Sequence, residues 1–342
     1  MIDTGISVYV GLDDYSLEQN LNYLQIAKDL GCEYVFSSAH IGEAKSDLDA
    51  LQTIIDTTVK LGMKLSLDIS KPMMEKIKIP KGLYALRLDY GFTDEEIAEM
   101  SQNAPYIVEL NASTISKEKV EKLLKLGLNP SRVRMSFNFY PKLYTGHDLL
   151  DVYQKTLDFK KLNMTVAAFL PSHVGYRPPM YEGLPTVESH RKLDLELAIE
   201  ELKACDIDGI YFGDAFASIE ELKILNKHKE DCLLLNLNLF EESKSLKTIL
   251  NNTYKRRVDV NSYLLRVGNL NEKLNPQMSL ERHKFDVTID NTLFKRYAGE
   301  INILLRDLPK DERVNVIGKL KTTDFIVEAV KRGKVFKFIF EE

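Results

Sequence analysis

The stretch Gly5-Ile6-Ser7-Val8-Tyr9-Val10-Gly11-Leu12-Asp13-Asp14 decides between two ways of folding a chain of alternating strands and helices. It reads as an apolar strand, Ile6–Val10, running into a turn. A doubly wound, dinucleotide-binding sheet would place a G-x-G-x-x-G loop here, because glycines let the backbone approach a pyrophosphate at the next helix's N-terminus. Gly11-Leu12-Asp13-Asp14 makes no such loop. Seven more short apolar runs follow: Tyr34–Ser37, Lys64–Ile69, Ala85–Leu88, Tyr106–Leu110, Arg132–Phe137, Thr165–Leu170 and Gly209–Phe212. Helical patterns separate them. Leu17, Leu21, Leu24, Ala27 and Leu30 recur at three- and four-residue spacing and stop at Gly31, a C-terminal signal. Eight strands with helical returns predict an α/β fold, a (β/α)8 TIM barrel, over residues 1–235.

From about residue 231 the period changes. Leu233–Leu239, Tyr263–Arg266, Phe285–Ile289, Ile301–Leu305, Val314–Ile317 and Val335–Phe340 read as short strands punctuated by Asn251-Asn252, Gly268-Asn269 and Arg332-Gly333. Residues 236–342 are therefore expected to form a smaller, mostly antiparallel β-barrel or sandwich. No Pro/Gly-rich linker divides the halves, so firm contact between them is expected.

Composition excludes several classes of function. The chain has 46 Lys plus Arg against 51 Asp plus Glu, a net charge of −5, which disfavours nucleic-acid and anionic-membrane binding. No apolar run approaches the ~18–20 residues of a membrane span. Met1–Gly5 lacks a basic leader segment, and Cys32, Cys205 and Cys232 are scattered, so a reducing cytoplasm is expected. His40, His173 and His190 lack H-x-H or H-E-x-x-H spacing, so neither a metal nor another cofactor is expected. His147, His228 and His283 read as helix or surface residues.

A barrel of this kind keeps its active site at the C-terminal ends of its strands. Those ends read Leu67-Asp68-Ile69-Ser70, Leu86-Arg87-Leu88-Asp89-Tyr90, Val108-Glu109-Leu110-Asn111 and Ser136-Phe137-Asn138-Phe139-Tyr140. Period two puts Ser66 with Asp68, Arg87 with Asp89, Glu109 with Asn111, and Ser136 with Asn138 and Tyr140 on one face. Leu67, Leu86, Leu88, Val108, Leu110, Phe137 and Phe139 share the other, which suits packing on outer helices. The polar face then points into the barrel. Burying so many polar groups costs stability unless they pair or meet a ligand.

The connection after the seventh strand, Pro171 to Arg191, is unusually long and carries four prolines, which suits a shaped wall or lid. Thr186 reads as the N-cap of the next helix. Ser172, His173, Arg177 and Arg191 are suited to binding phosphate, arginine being its natural bidentate partner.

These residues resemble a known family. The segments GISVY (5–9), LRLDYGF (86–92), ELNAS (109–113), NFYPKLYTG (138–146), AAFLPSHV (167–174) and GLPTVESHR (183–191) are similar, in order and spacing, to the 6-phospho-N-acetylmuramidases. DERVNVIG (311–318) is similar to the motif of that family's cyclophilin-like C-terminal domain. The chain departs from the family pattern at Phe137, in place of His, and at Asp214, in place of Asn, so Asp214 is given no catalytic role. The resemblance implies a cytoplasmic glycoside hydrolase of peptidoglycan recycling. Its substrate would be 6-phospho-N-acetylmuramyl-β-1,4-N-acetylglucosamine, a phosphorylated amino-sugar disaccharide.

Such hydrolysis needs one carboxylic acid to protonate the leaving oxygen and a second group to stabilise or attack the anomeric carbon. Asp89 and Glu109 are the first pair, with Asp68 and Glu188 in reserve. The substrate's own N-acetyl group is an alternative nucleophile. Arg87, Arg177, Arg191, Ser172 and His173 are assigned to the phosphate and lactyl carboxylate, and Asn111, Asn138 and Tyr140 to sugar hydroxyls and amide. Two other functions stay open at this point: a phosphosugar isomerase, epimerase or lyase on the same barrel, and a non-enzymatic binding protein.

Overall fold

In the computed structural model, the described residues are 1–342 except 40–46, 242, 243, 251, 260, 278, 279, 341 and 342. His40 lies outside them. Two compact units span Met1–Glu230 and Asp231–Glu342.

The first unit is a closed barrel of eight parallel strands. They are β1 (Asp3–Ser7), β2 (Tyr34–Ser38), β3 (Lys64–Ile69), β4 (Ala85–Leu88), β5 (Ile107–Asn111), β6 (Val133–Ser136), β7 (Thr165–Leu170) and β8 (Gly209–Phe212). The ring closes where Asp3 of β1 registers with Gly209 of β8. The returning helices are α1 (Leu17–Asp29), α2 (Leu48–Lys60), α3 (Lys71–Met74), α4 (Asp94–Asn103), α5 (Lys117–Lys125), α6 (Leu149–Lys161), α7 (Leu195–Ala204) and α8 (Ile219–Lys227). Several start on caps written into the sequence. Ser16 with Gln19, Thr93 with Glu96 and Ser218 with Glu221 each form a reciprocal capping box, which satisfies N–H groups the first turn would leave unpaired.

Two local expectations are corrected. β1 ends at Ser7 rather than Val10, and Val8–Val10 continue as buried chain, with the Tyr9 hydroxyl donating to the Gly213 carbonyl at 2.6 Å. Thr186 caps no helix. Its hydroxyl donates to the Asn138 carbonyl and accepts from the Phe169 N–H, joining the β7 strand to the chain after β6. A short 3-10 turn, Glu188–Arg191, follows, and the cap of α7 is Asp194.

The barrel interior has two halves. Tyr34, Phe36, Phe169 and Tyr211, with Tyr9 above them, form an aromatic cluster on the β1, β2, β7 and β8 side. Phe139, expected to face the outer helices, joins this cluster instead, edge-on to Phe36, Phe169 and Tyr9. The reason is that β6 ends at Ser136, so strict alternation no longer governs the residues after it. The other half of the interior is charged.

The second unit contains one seven-stranded sheet, in the order β10-β15-β9-β14-β12-β13-β11, rather than a sandwich. Its strands are β9 (Leu233–Leu239), β10 (Thr253–Tyr254), β11 (Leu264–Asn269), β12 (Asp286–Asp290), β13 (Glu300–Leu304), β14 (Val314–Lys321) and β15 (Phe336–Ile339). Every pairing is antiparallel except β15 with β9, which the helix Asp324–Arg332 makes possible by returning the chain from β14. Phe336 and Phe338, two apart on β15, are fully buried against Tyr254 and mark its inner face. Among the described residues, no helix is long and apolar enough to cross a membrane.

Candidate active site

The charged half of the barrel interior follows from register. Ser38, Asp68, Arg87, Glu109 and Arg134 are successive Cα partners across β2 to β6. Partners in a parallel pair point their side chains to the same face, so one inward row carries hydroxyl, carboxylate, guanidinium, carboxylate and guanidinium in turn. Strands in such a barrel tilt by roughly 36°, so a row of register partners slopes through the interior instead of lying level. Asp68 is the fifth residue of β3, near the mouth, and Arg134 is the second of β6, near the floor.

Arg87 is the hub of this row. Its Nη1 donates to Asp68 Oδ1 at 2.6 Å and its Nη2 to Asn138 Oδ1 at 2.6 Å, while Nε lies 4.0 Å from Glu109 Oε1. Asp68 also accepts from the Ser38 hydroxyl at 3.0 Å, and Glu109 from the Ser66 hydroxyl at 3.0 Å. Arg134 Nε stands 3.9 Å from Glu109 Oε2. Glu109 therefore lies between two guanidinium groups and is only 1% exposed, whereas the Asp68 side chain is 13% exposed. Asp89, the residue after β4, is exposed at the mouth, its N–H donating to the Ile69 carbonyl at 3.0 Å.

Arg134 was not singled out from the sequence, although period two aligns it with Ser136. It is fully buried, it hydrogen-bonds the Tyr211 hydroxyl, and its guanidinium lies over the Tyr34 and Tyr211 rings. Gly209 makes room for it, since a β-carbon there would clash with Arg134 Nη2.

The long β7 connection is a braced wall. Asp214, just after β8, accepts the N–H groups of Ser172 and Leu184 at 2.9 Å and of Arg177 at 3.2 Å. Burial raises its carboxyl to about 6, against the pull of those N–H groups and of Arg177. Ser172 is wholly buried: its hydroxyl donates to Glu221 and accepts from the N–H groups of Val174 and Gly175. The His173 backbone N–H also goes to Glu221, while the residue itself is exposed.

Arg177 differs from the other arginines of the loop. Its guanidinium lies over the rings of Tyr9 at 4.7 Å and Phe139 at 5.2 Å. It is 8% exposed, its Nε has no hydrogen-bond partner, and it forms no ion pair among the described residues. Arg191 is instead saturated. It donates to both Glu188 oxygens and to the carbonyls of Glu182, Gly183, Tyr140 and Lys142. Glu188 in turn accepts from the N–H groups of Tyr144 and Gly146, and Arg191 and these bonds hold its carboxyl down at about 2.

The row thus brings together Asp68, Arg87, Glu109 and Asn138. Glu188 and Arg191 form a separate latch, and Ser172 is occupied within the loop. Asn111 turns its Oδ1 back to the Ser113 N–H at 3.0 Å. Tyr140 bonds to His147, a residue the sequence had marked only as helix or surface, through Oη and Nε2 at 3.1 Å. His190 is buried against Glu201. Among the described residues, no three His, Cys, Asp or Glu side chains converge as metal ligands.

No curated protein sequence matches the chain. An uncharacterized B. cereus protein of known structure is similar over 99% of both chains, at 26% identity and a TM-score of 0.85. A conserved Enterococcus faecalis protein of unknown function is 31% identical, over 99% of this chain and 96% of that one, with a TM-score of 0.68. The N-terminal profile of the 6-phospho-N-acetylmuramidases matches residues 4–227, which hold the barrel and the charged row, and their C-terminal profile matches residues 233–339. The chain belongs to the 6-phospho-N-acetylmuramidase family.

Proposed function

We propose that the barrel hydrolyses the β-1,4 bond of 6-phospho-N-acetylmuramyl-N-acetylglucosamine, releasing N-acetylmuramic acid 6-phosphate and N-acetylglucosamine, in the cytoplasm during peptidoglycan recycling. The observation that carries this reading is a carboxylate-rich barrel mouth in a chain of this family. Hydrolysis adds water across the bond: one carboxylic acid gives its proton to the departing glycosidic oxygen, and a carboxylate steadies positive charge at the anomeric carbon. Asp89, exposed at the strand end, is assigned the proton. Asp68 is assigned the carboxylate role, because it reaches the mouth and is oriented by Ser38 and Arg87. Glu109, buried between Arg87 and Arg134, is assigned the positioning of Arg87. Asn138 is held by Arg87 at the rim, where sugar hydroxyls would pass.

Arg177 is assigned the substrate's phosphate or lactyl carboxylate. A buried guanidinium with an unpartnered Nε, and with no ion pair among the described residues, is costly until an anion arrives, and loops after the seventh and eighth strands are a common phosphate site in barrels. Because the chain as a whole is acidic, a local cation of this kind is what an anionic ligand needs.

The test is turnover of the phosphorylated and unphosphorylated disaccharides by the purified protein, with the product anomer followed by NMR. Release of N-acetylglucosamine from the phosphorylated compound is expected. An intact disaccharide overturns the reading, and deuterium uptake at carbon without cleavage points to an isomerase or epimerase.

A further inference from the structure

Beside the charged row, the connection between β6 and α6 carries a second chain of polar groups. His147 Nδ1 lies 2.7 Å from Asp151 Oδ2, and its Nε2 lies 3.1 Å from the Tyr140 hydroxyl. An ionised carboxylate only accepts, so the imidazole proton sits on Nδ1 and donates to Asp151. Nε2 is then bare and accepts the phenol's single proton. The Tyr140 oxygen keeps lone pairs for another partner and has no proton left to give.

The arrangement is rigidly held. The His147 N–H donates to the Thr186 carbonyl at 2.9 Å, and its carbonyl accepts from the Glu188 N–H at 3.0 Å. The imidazole stands edge-on to Phe137 at 5.5 Å and to Tyr140 at 5.4 Å. Tyr140 is part-exposed, and it lies two residues beyond Asn138, the partner of Arg87.

We propose that His147 is a positioning residue which fixes the Tyr140 hydroxyl as a hydrogen-bond acceptor at the barrel mouth, selecting a ligand group that donates, such as an acetamido N–H or a sugar hydroxyl. This rests on the glycosidase reading above. The polarity is reversible. A protonated imidazole donates from Nε2 to the phenol oxygen, and the phenol proton must then turn outward, so an acceptor site becomes a donor site.

The charges facing His147 are Asp148, Asp151 and Lys155 from α6 and its cap, and Glu188 from the segment opposite. Lys155 is 3.4 Å from Asp151 and donates to the Ser113 carbonyl. Glu188 is bonded to the Gly146 N–H. Burial and Lys155 lower the imidazole pKa from its usual 6.5, with Asp151 and Asp148 opposing. The acceptor state therefore prevails at neutral pH and is lost on acidification below the usual histidine range.

Two measurements test this. Nitrogen-15 NMR of the resting protein should show His147 neutral at pH 7 as the Nδ1–H tautomer, and an Nε2–H tautomer overturns the proposal. In turnover, kcat/KM for the phosphorylated disaccharide should show an acidic limb that follows the His147 titration. Tyr140→Phe should lower kcat/KM about tenfold, mainly through KM, and abolish that limb. Asp151→Asn should move it to lower pH. His147→Gln, whose amide oxygen can still accept from the phenol, should restore much of the activity lost in His147→Ala and show no limb. An unchanged limb in Tyr140→Phe overturns the proposal. If the protein cleaves nothing, the glycosidase reading fails, and the tautomer alone then decides on the chain of bonds.

Discussion

Arg87 and Asp68 are register partners on β4 and β3, and their side chains meet at 2.6 Å inside the barrel. The pairing is a direct product of strand register, because each residue sits at the inward position of its own strand. Arg87 also faces Glu109 and Asn138, so its removal should affect stability and chemistry together. Arg87→Met leaves Asp68 and Glu109 buried without their shared cation, and breaking such a pair costs about 3–5 kcal/mol. Chemical denaturation should show that loss. Arg87→Lys, which has no planar fork to reach Asp68 and Asn138 together, should fold but turn over poorly.

The two candidate acids separate by burial. Asp89→Asn should lower kcat by about 100- to 10,000-fold, the usual range for a missing proton donor, with little change in unfolding midpoint. Glu109→Gln should lower stability, since Arg87 and Arg134 both lose their shared anion. Near-normal turnover in Asp89→Asn, set beside a catalytic collapse in a well-folded Glu109→Gln, would transfer the role to Glu109.

Selection for a phosphorylated sugar should depend on Arg177. Replacing a charge-assisted bond to an anion costs about 1.5–3 kcal/mol. Arg177→Met should therefore reduce kcat/KM on the phosphorylated disaccharide by roughly 10- to 150-fold. The unphosphorylated disaccharide should be affected far less. Equal losses on both substrates would place the anion elsewhere.

Asp214 gives the loop a pH signature. Its carboxyl is near 6 in the fold and near 3.9 in an unfolded chain. The native state thus holds this proton more tightly. Its contribution to stability is full below about pH 4 and is lost as pH rises through about 6, a change of roughly 3 kcal/mol at most. Subtracting the stability–pH curve of Asp214→Asn from that of the parent should isolate this slope between pH 4 and 6. Asp214→Ala should be the harsher change, since it leaves the N–H groups of Ser172, Arg177 and Leu184 without their acceptor.

Much of the barrel was legible because its signals are local. Alternation in Lys64–Ile69 and Ala85–Leu88 and the stop at Gly31 depend on near neighbours. The inward face of Asp68, Arg87 and Glu109 follows from the same period of two. The alternation failed at Phe139, because the strand had already ended three residues earlier and the chain turned the ring inward.

The sequence by itself determined eight strands, their helical returns and the polar residues on the inner faces of β3 to β6. Only the tertiary structure decided what each of those residues could do. Strand stagger set Glu109 deep between two arginines while Asp89 emerged at the mouth. Loop closure joined Glu188 to Arg191 and to Gly146, and left Arg177 without an ion pair among the described residues. It also placed His147 between Tyr140 and Asp151. The physical reason is that a side chain's face is written in its own strand, whereas its depth and partners depend on the tilt of all eight strands and on how the connecting loops pack.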